Sequence, residues 1–226
     1  MKKLLFPALA LAAVIGGGVW YSGQSGSPAI ELPNVVPPAV AQESADAADI
    51  EIADFQMGNP EASVEVIEYA SFTCPHCATF HDSVLPKLKA DYIDTDKINF
   101  VYREVFFDRY GLWAAMVARC GGEEKYFGIS DLLYDKQREW AQGEPAEIAN
   151  NLRRIGKTAG LSDEALDACF GNAAQAEAMV AYSQENMEAD KVTGTPSFVI
   201  DGKTYSNMSY EDLSEILDEK LEKADG

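Results

Sequence analysis

Cys74-Pro75-His76-Cys77 stands where a strand-patterned segment gives way to a helix-patterned one. Upstream, residues 63–69 (SVEVIEY) are short, apolar and β-branched, which predicts a strand. Downstream, Phe80, Val84, Leu88 and Tyr92 recur about every four residues, which predicts a helix over 74–93, kinked at Pro86. A thiol at such a junction faces the free N–H groups and positive end of a helix, and both favour the thiolate. His76 adds a donor or a positive charge beside the sulfur. Stabilising the thiolate stabilises the dithiol, so the disulfide becomes the more oxidising form. Cys77, one turn on, is close enough to close the ring.

Residues 97–105 (KINFVYREV) form a second predicted strand, so the segment reads as a right-handed βαβ unit. The middle of the chain is helical. Leu112, Trp113, Met116, Val117 and Cys120 share a face; Tyr126, Phe127, Leu132 and Leu133 form another set; Ile148, Leu152 and Ile155 a third. Ser162 is placed to cap a helix carrying Leu166, Cys169 and Phe170, and an Ala-rich helix covers 175–189. The β pattern returns at Pro196–Ile200, turns at Asp201-Gly202 and pairs back through Lys203–Tyr205. A last helix, capped by Ser209, holds Leu213, Ile216, Leu217 and Leu221 on one face. The expected fold class is α/β, ordered βαβ, helices, ββα.

The first fifty residues have a different character. After Lys2 and Lys3, Leu4–Tyr21 runs 18 residues without a charge. That is the apolar region of a secretory signal or an N-terminal membrane anchor. Its length and the terminal Trp20-Tyr21 favour an anchor, whereas Pro7, Gly16-Gly17-Gly18 and the later Ala39-Val40-Ala41 favour a cleaved signal. Residues 22–49 are rich in Gly, Pro and Ser without hydrophobic periodicity and read as a linker. The folded domain is then 50–223, with a helical insertion at about 108–190. Either reading of the N-terminus exports that domain.

The chain carries 18 basic and 37 acidic residues, a net charge of -19. Lys2, Lys3, Glu31, Glu43, Asp46 and Asp49 precede residue 50, which leaves the domain with 16 basic and 33 acidic residues. Such a surface argues against nucleic acid and anionic lipid as partners, and self-repulsion favours a monomer.

Two segments, YASFTCPHC at 69–77 and VTGTPSFVIDGK at 192–203, resemble the DsbA family of exported thiol-disulfide oxidoreductases, over roughly residues 60–223. The resemblance implies a thioredoxin-like fold with an inserted helical domain, and no cofactor beyond the redox-active disulfide. Cys74 would take the attack and Cys77 resolve it, with His76 and Glu68 as further candidate catalytic residues. Thr195 and a cis Pro196 would touch the pair and bind the substrate chain. The family's buried acid falls on Glu68. Its lysine partner on the next strand is missing from Phe100-Val-Tyr-Arg103, leaving Arg103 as the candidate substitute. In an oxidising compartment Cys120 and Cys169 are expected to form a structural disulfide.

The implied activity is oxidation of reduced exported proteins in the periplasm, with recharging by a DsbB-type quinone-linked membrane oxidase. Three rivals stand beside it. One is an isomerase or reductase, which in this fold usually adds an N-terminal dimerisation domain for which residues 50–62 leave no room. Another is a structural Cys74–Cys77 staple. The third is a tethered metal or peptide chaperone using Cys74, Cys77 and His81.

Overall fold

A computed structural model describes Ala47 and residues 50–224. The apolar stretch at 4–21, and all of the linker except Ala47, lie outside the described residues.

Five strands form one mixed sheet: β1 (Phe55–Gly58), β2 (Val64–Ala70), β3 (Ile98–Glu104), β4 (Ser197–Ile200) and β5 (Lys203–Ser206), in the order β1-β3-β2-β4-β5. β2 and β3 are parallel, as the βαβ reading requires, and the other pairings are antiparallel. β2 is central and closely packed: Val64, Val66, Tyr69 and Ala70 are fully buried. Six of its seven residues are buried, Glu65 being the exception, because both faces of the strand are covered. β1 is an element that the sequence pattern did not reveal. It is four residues long and lies at the sheet edge, too short for an alternation to show. Gly58 ends it with φ +88°, and a Cβ there would stand 2.4 Å from the Ile98 carbonyl oxygen, so only glycine fits.

The helix after the cysteines is three pieces rather than one kinked rod. α1 (Pro75–Ser83) stops at Val84, α2 (Leu85–Leu88) restarts with Pro86 in its first turn, and a π-helical turn covers Lys89–Ile93. Pro86 has no N–H to continue the ladder and is tolerated only in a first turn, so the break falls just before it.

The insertion comprises α3 (Arg109–Cys120), α4 (Gly122–Asp135), α5 (Gln137–Trp140), α6 (Pro145–Thr158), α7 (Asp163–Phe170) and α8 (Ala173–Ala189), and α9 (Tyr210–Ala224) closes the chain. Ser162 Oγ accepts from the Ala165 N–H at 3.2 Å, and Ser209 Oγ from the Asp212 N–H at 3.1 Å, so both expected caps form. Asp201 and Gly202 both have positive φ, the conformation a two-residue hairpin needs. One large core runs from the α1 side of the sheet into the helical insertion, and a smaller cluster (Ile67, Tyr69, Val101, Val105, Val192, Val199) covers the other face.

Candidate active site

Cys74 is the N-cap of α1, with extended backbone (φ -83°, ψ 118°), and Pro75 opens the helix. Its sulfur is partly exposed, whereas Cys77 is buried and forms part of the core. The two thiols are unbonded and differ sharply. Cys74 is brought down from the ordinary 9.0 to about 5. The hydrogen bond from Cys77 is the largest cause and burial opposes it; Thr195 and the main-chain N–H groups of Cys77 and His76 add to the lowering. Cys77 is pushed far up, first by burial, then by its bond to Cys74 and the nearby Glu68 charge. One sulfur is therefore a ready thiolate at neutral pH and the other a thiol.

The His76 side chain is exposed, and its main-chain N–H is among the groups that lower Cys74. At the second position of the helix the side chain points outward while the N–H points along the axis toward the cap.

Thr195 and Pro196 lie against the pair. The Thr195–Pro196 bond is cis, and Cys74 Sγ lies 3.4 Å from the Thr195 carbonyl oxygen, which can accept from it only while the thiol is protonated. The Thr195 hydroxyl is buried and placed where it lowers both thiols. The chain thus brings residues 121 apart together.

Glu68 is fully buried and its charge acts on Cys77, but its partner is not the one expected. In the β2–β3 register Glu68 lies opposite Tyr102, and Arg103 opposite Tyr69. Strand side chains alternate, so Arg103 belongs to the other face of the sheet. There its guanidinium donates to Asp54 at 2.8 Å, to the Tyr69 hydroxyl at 2.8 Å and to Asp190 at 3.3 Å. The group that meets Glu68 is His81, one turn beyond Cys77, with Nε2 3.0 Å from Oε2. The imidazole side chain is 4% exposed and stacks on Tyr134 at 4.1 Å. The chaperone reading's third candidate ligand is thus the hydrogen-bond partner of Glu68. Among the described residues no three His, Cys, Asp or Glu side chains assemble as a ligand set.

Two positioning residues that the sequence reading missed come from the helical insertion. Gln137, buried at the start of α5, donates from Nε2 to the Phe72 carbonyl at 2.8 Å and to the Cys74 carbonyl at 3.0 Å. Asp108, the N-cap of α3, accepts from the N–H groups of Tyr110 and Gly111 and from the Thr73 hydroxyl. Its cap position before an apolar run was the one available hint. The loop 71–74 is thereby tied from two sides.

Cys120 in α3 and Cys169 in α7 are joined by a disulfide, with Cα atoms 5.9 Å apart. It links two helices of the insertion and takes no part in the Cys74 site.

A family model described as thioredoxin matches residues 51–219, three quarters of the chain. The chain is 32% identical over 194 residues to a Rickettsia felis protein named "Putative protein-disulfide oxidoreductase", covering 83% of this chain and 69% of that one. The crystal structure of Wolbachia pipientis alpha-DsbA1 superimposes with TM-score 0.70 at 27% identity, over 76% of this chain and 92% of that one. The chain belongs to the thioredoxin family, as a DsbA-like member. A Rickettsia typhi relative named like that of R. felis is 35% identical over 170 residues, 75% of this chain. The DsbA-like chain spans 62% of that relative's length.

Proposed function

We propose that this DsbA-like chain is a thiol-disulfide oxidoreductase that donates the Cys74–Cys77 disulfide to reduced exported proteins. The observation that carries the reading is the asymmetry of the pair: Cys74, partly exposed, is stabilised as a thiolate near pH 5, beside a buried Cys77 thiol. A stabilised thiolate makes a good leaving group and an oxidising couple.

A substrate thiolate attacks Cys74 Sγ, the Cys74–Cys77 bond breaks, and Cys77 leaves with the electron pair and takes up a proton. A second substrate thiolate then attacks the substrate sulfur of the mixed disulfide and expels Cys74 as thiolate. The substrate loses two electrons, the pair gains them, and of the two substrate protons one ends on Cys77 and one in solvent. Thr195, next to the reacting sulfur, offers main-chain groups for an extended substrate to pair with as an added strand.

The apolar N-terminal stretch supports an exported protein, tethered or released, working in the periplasm as a monomer. A membrane oxidase of the DsbB type, passing electrons to quinone, would restore the disulfide.

The test uses one substrate in two states: reduced ribonuclease for oxidation and scrambled ribonuclease for isomerisation, with the pair's equilibrium against glutathione measured alongside. Fast oxidation, slow unscrambling and a couple more oxidising than glutathione support the reading. The reverse ranking supports an isomerase and overturns it.

A further inference from the structure

Glu68 and His81 form a hydrogen-bonded pair with one unused polar atom at each end. Oε2 and Nε2 meet at 3.0 Å, while Glu68 Oε1 and His81 Nδ1 are buried with no partner among the described residues. Buried polar atoms are almost always satisfied, so two orphans on one pair are unusual. Their arrangement has a chemical meaning. Imidazole passes a proton by accepting at one ring nitrogen and releasing from the other. A carboxylic acid does the same through its two oxygens. Nδ1, Nε2, Oε2 and Oε1 therefore make a chain that is open at both ends.

The two ends lie in different surroundings. Glu68 is fully buried, and its charge is felt by Cys77. His81 lines a groove of about 680 Å³ between α1–α2 and α4–α5, walled also by Pro75, Asp82, Lys89, Asp131 and Arg138. The groups facing the pair are Cys77 from α1, Tyr102 from β3, Tyr134 and Asp131 from α4, and Lys89 from the π-helical turn after α2. Tyr102 and Tyr134 hydrogen-bond each other at 2.5 Å, and burial holds both far above the ordinary phenol range, so they stay neutral. Asp131 and Lys89 belong to the groove wall. Apart from Cys74, the Glu68–His81 pair is then the unit acting on Cys77 that can exchange a proton.

Cys77 needs such a unit. When the disulfide opens it leaves as a buried thiolate, which burial disfavours and which the negative charge of a deprotonated Glu68 would disfavour further. On the oxidoreductase reading above, we propose that His81 carries protons between the α1–α4 groove and Glu68, which gives one to Cys77 as the disulfide opens and takes it back as the disulfide forms. In the reductive direction Glu68, protonated before the disulfide opens, gives its proton to the Cys77 thiolate, His81 replaces it from Nε2, and the ring is reprotonated at Nδ1 from the side of the groove that His81 lines. His81 is thus a positioning residue acting through Glu68, in place of a lysine on β3.

His81→Gln keeps an N–H donor for Glu68 but cannot relay a proton. Oxidation of a dithiol peptide by the full chain, followed by stopped flow between pH 5 and 9.0, the Cys74 value and the ordinary thiol value, should slow on the order of tenfold. That is less than the ~10²–10⁴ of a direct general acid. The pH–rate profile should lose the step that it shares with Glu68→Gln, while the Cys74 titration stays in place. The double variant should be no slower than the slower single. A second arm needs no variant. The chain has two histidines, so the ring ¹⁵N signals of His81 can be followed in the unaltered protein. They should differ between the oxidised and reduced forms in tautomer or protonation. Equal rates and profiles for H81Q and the unaltered chain, or identical His81 ring signals in both redox forms, would overturn the assignment to His81. Failure of the unaltered chain to oxidise the peptide would instead overturn the oxidoreductase reading on which it rests.

Discussion

The Thr73 hydroxyl donates to Asp108 Oδ2 at 2.8 Å, joining the residue before the reactive cysteine to the cap of the first helix of the insertion, 35 positions away. The other carboxylate oxygen accepts from the Tyr110 and Gly111 N–H groups at 2.8 and 2.9 Å. One side chain therefore starts α3 and anchors the loop carrying Cys74. Asp108→Ala should cost about 1–2 kcal/mol as a lost cap. Because the loop is released as well, Cys74 should also titrate higher. Denaturant unfolding and thiolate absorbance against pH check the two effects separately. Gln137→Ala, which frees the Phe72 and Cys74 carbonyls, should act in the same direction without touching a helix cap.

Reduced protein should show a thiolate transition near pH 5 from Cys74 and none from Cys77 in the ordinary thiol range. The sign of the stability effect follows. Cys74 has a lower value folded than unfolded, so the unfolded chain binds more protons between about 5 and 9.0. The reduced fold gains stability as pH rises through that window and loses it as pH falls through 5. Above the ordinary thiol value Cys77 acts oppositely, because unfolding lets it ionise. Urea midpoints of the reduced form at several pH values measure this; a flat profile would contradict the Cys74 assignment.

Thr195→Val removes the hydroxyl that lowers both thiols while keeping the carbonyl 3.4 Å from Cys74 Sγ. The Cys74 transition should move up and the disulfide should become less oxidising in equilibrium with glutathione. Each tenfold change in that equilibrium corresponds to about 30 mV. An unchanged transition would show that the hydroxyl serves only in packing.

Replacing Cys120 and Cys169 together by Ala removes a crosslink across 49 positions. In the chain-entropy model such a loop is worth up to ~4 kcal/mol. The urea midpoint should fall, with the Cys74 titration unchanged, since the link lies between α3 and α7.

Arg119 and Glu104 are a buried pair, with side chains 6% and 4% exposed and bonds of 2.6 and 2.8 Å. The Tyr126 hydroxyl also donates to Glu104, at 2.7 Å. Arg119→Met leaves the carboxylate with Tyr126 alone and should cost about 3–5 kcal/mol. Adding Glu104→Leu should recover part of that, because it removes the stranded charge. Thermal unfolding of the single and double variants would show it.

What the sequence determined by itself is local or motif-borne. The Cys74-Pro75-His76-Cys77 junction needed only a strand pattern ending where a helix pattern begins. The helices at 109–120 and 145–158 needed only a stripe of apolar side chains, and the 201–202 turn only Asp-Gly. Thr195 and Pro196 were legible through the resemblance of their segment, not from spacing. What only the tertiary structure decided is which side chains meet across elements. Arg103 looked like a partner for Glu68, but strand parity places the two on opposite faces of the sheet. His81 entered the sequence reading only as a ligand of the chaperone alternative, and the packing of α1 on the sheet seats it against Glu68. Gln137 and Asp108 acquire a role only where the insertion folds back over the loop 71–74. Periodicity reports which face of an element is buried; the partner buried against it depends on register and docking, which arise only when the whole chain packs.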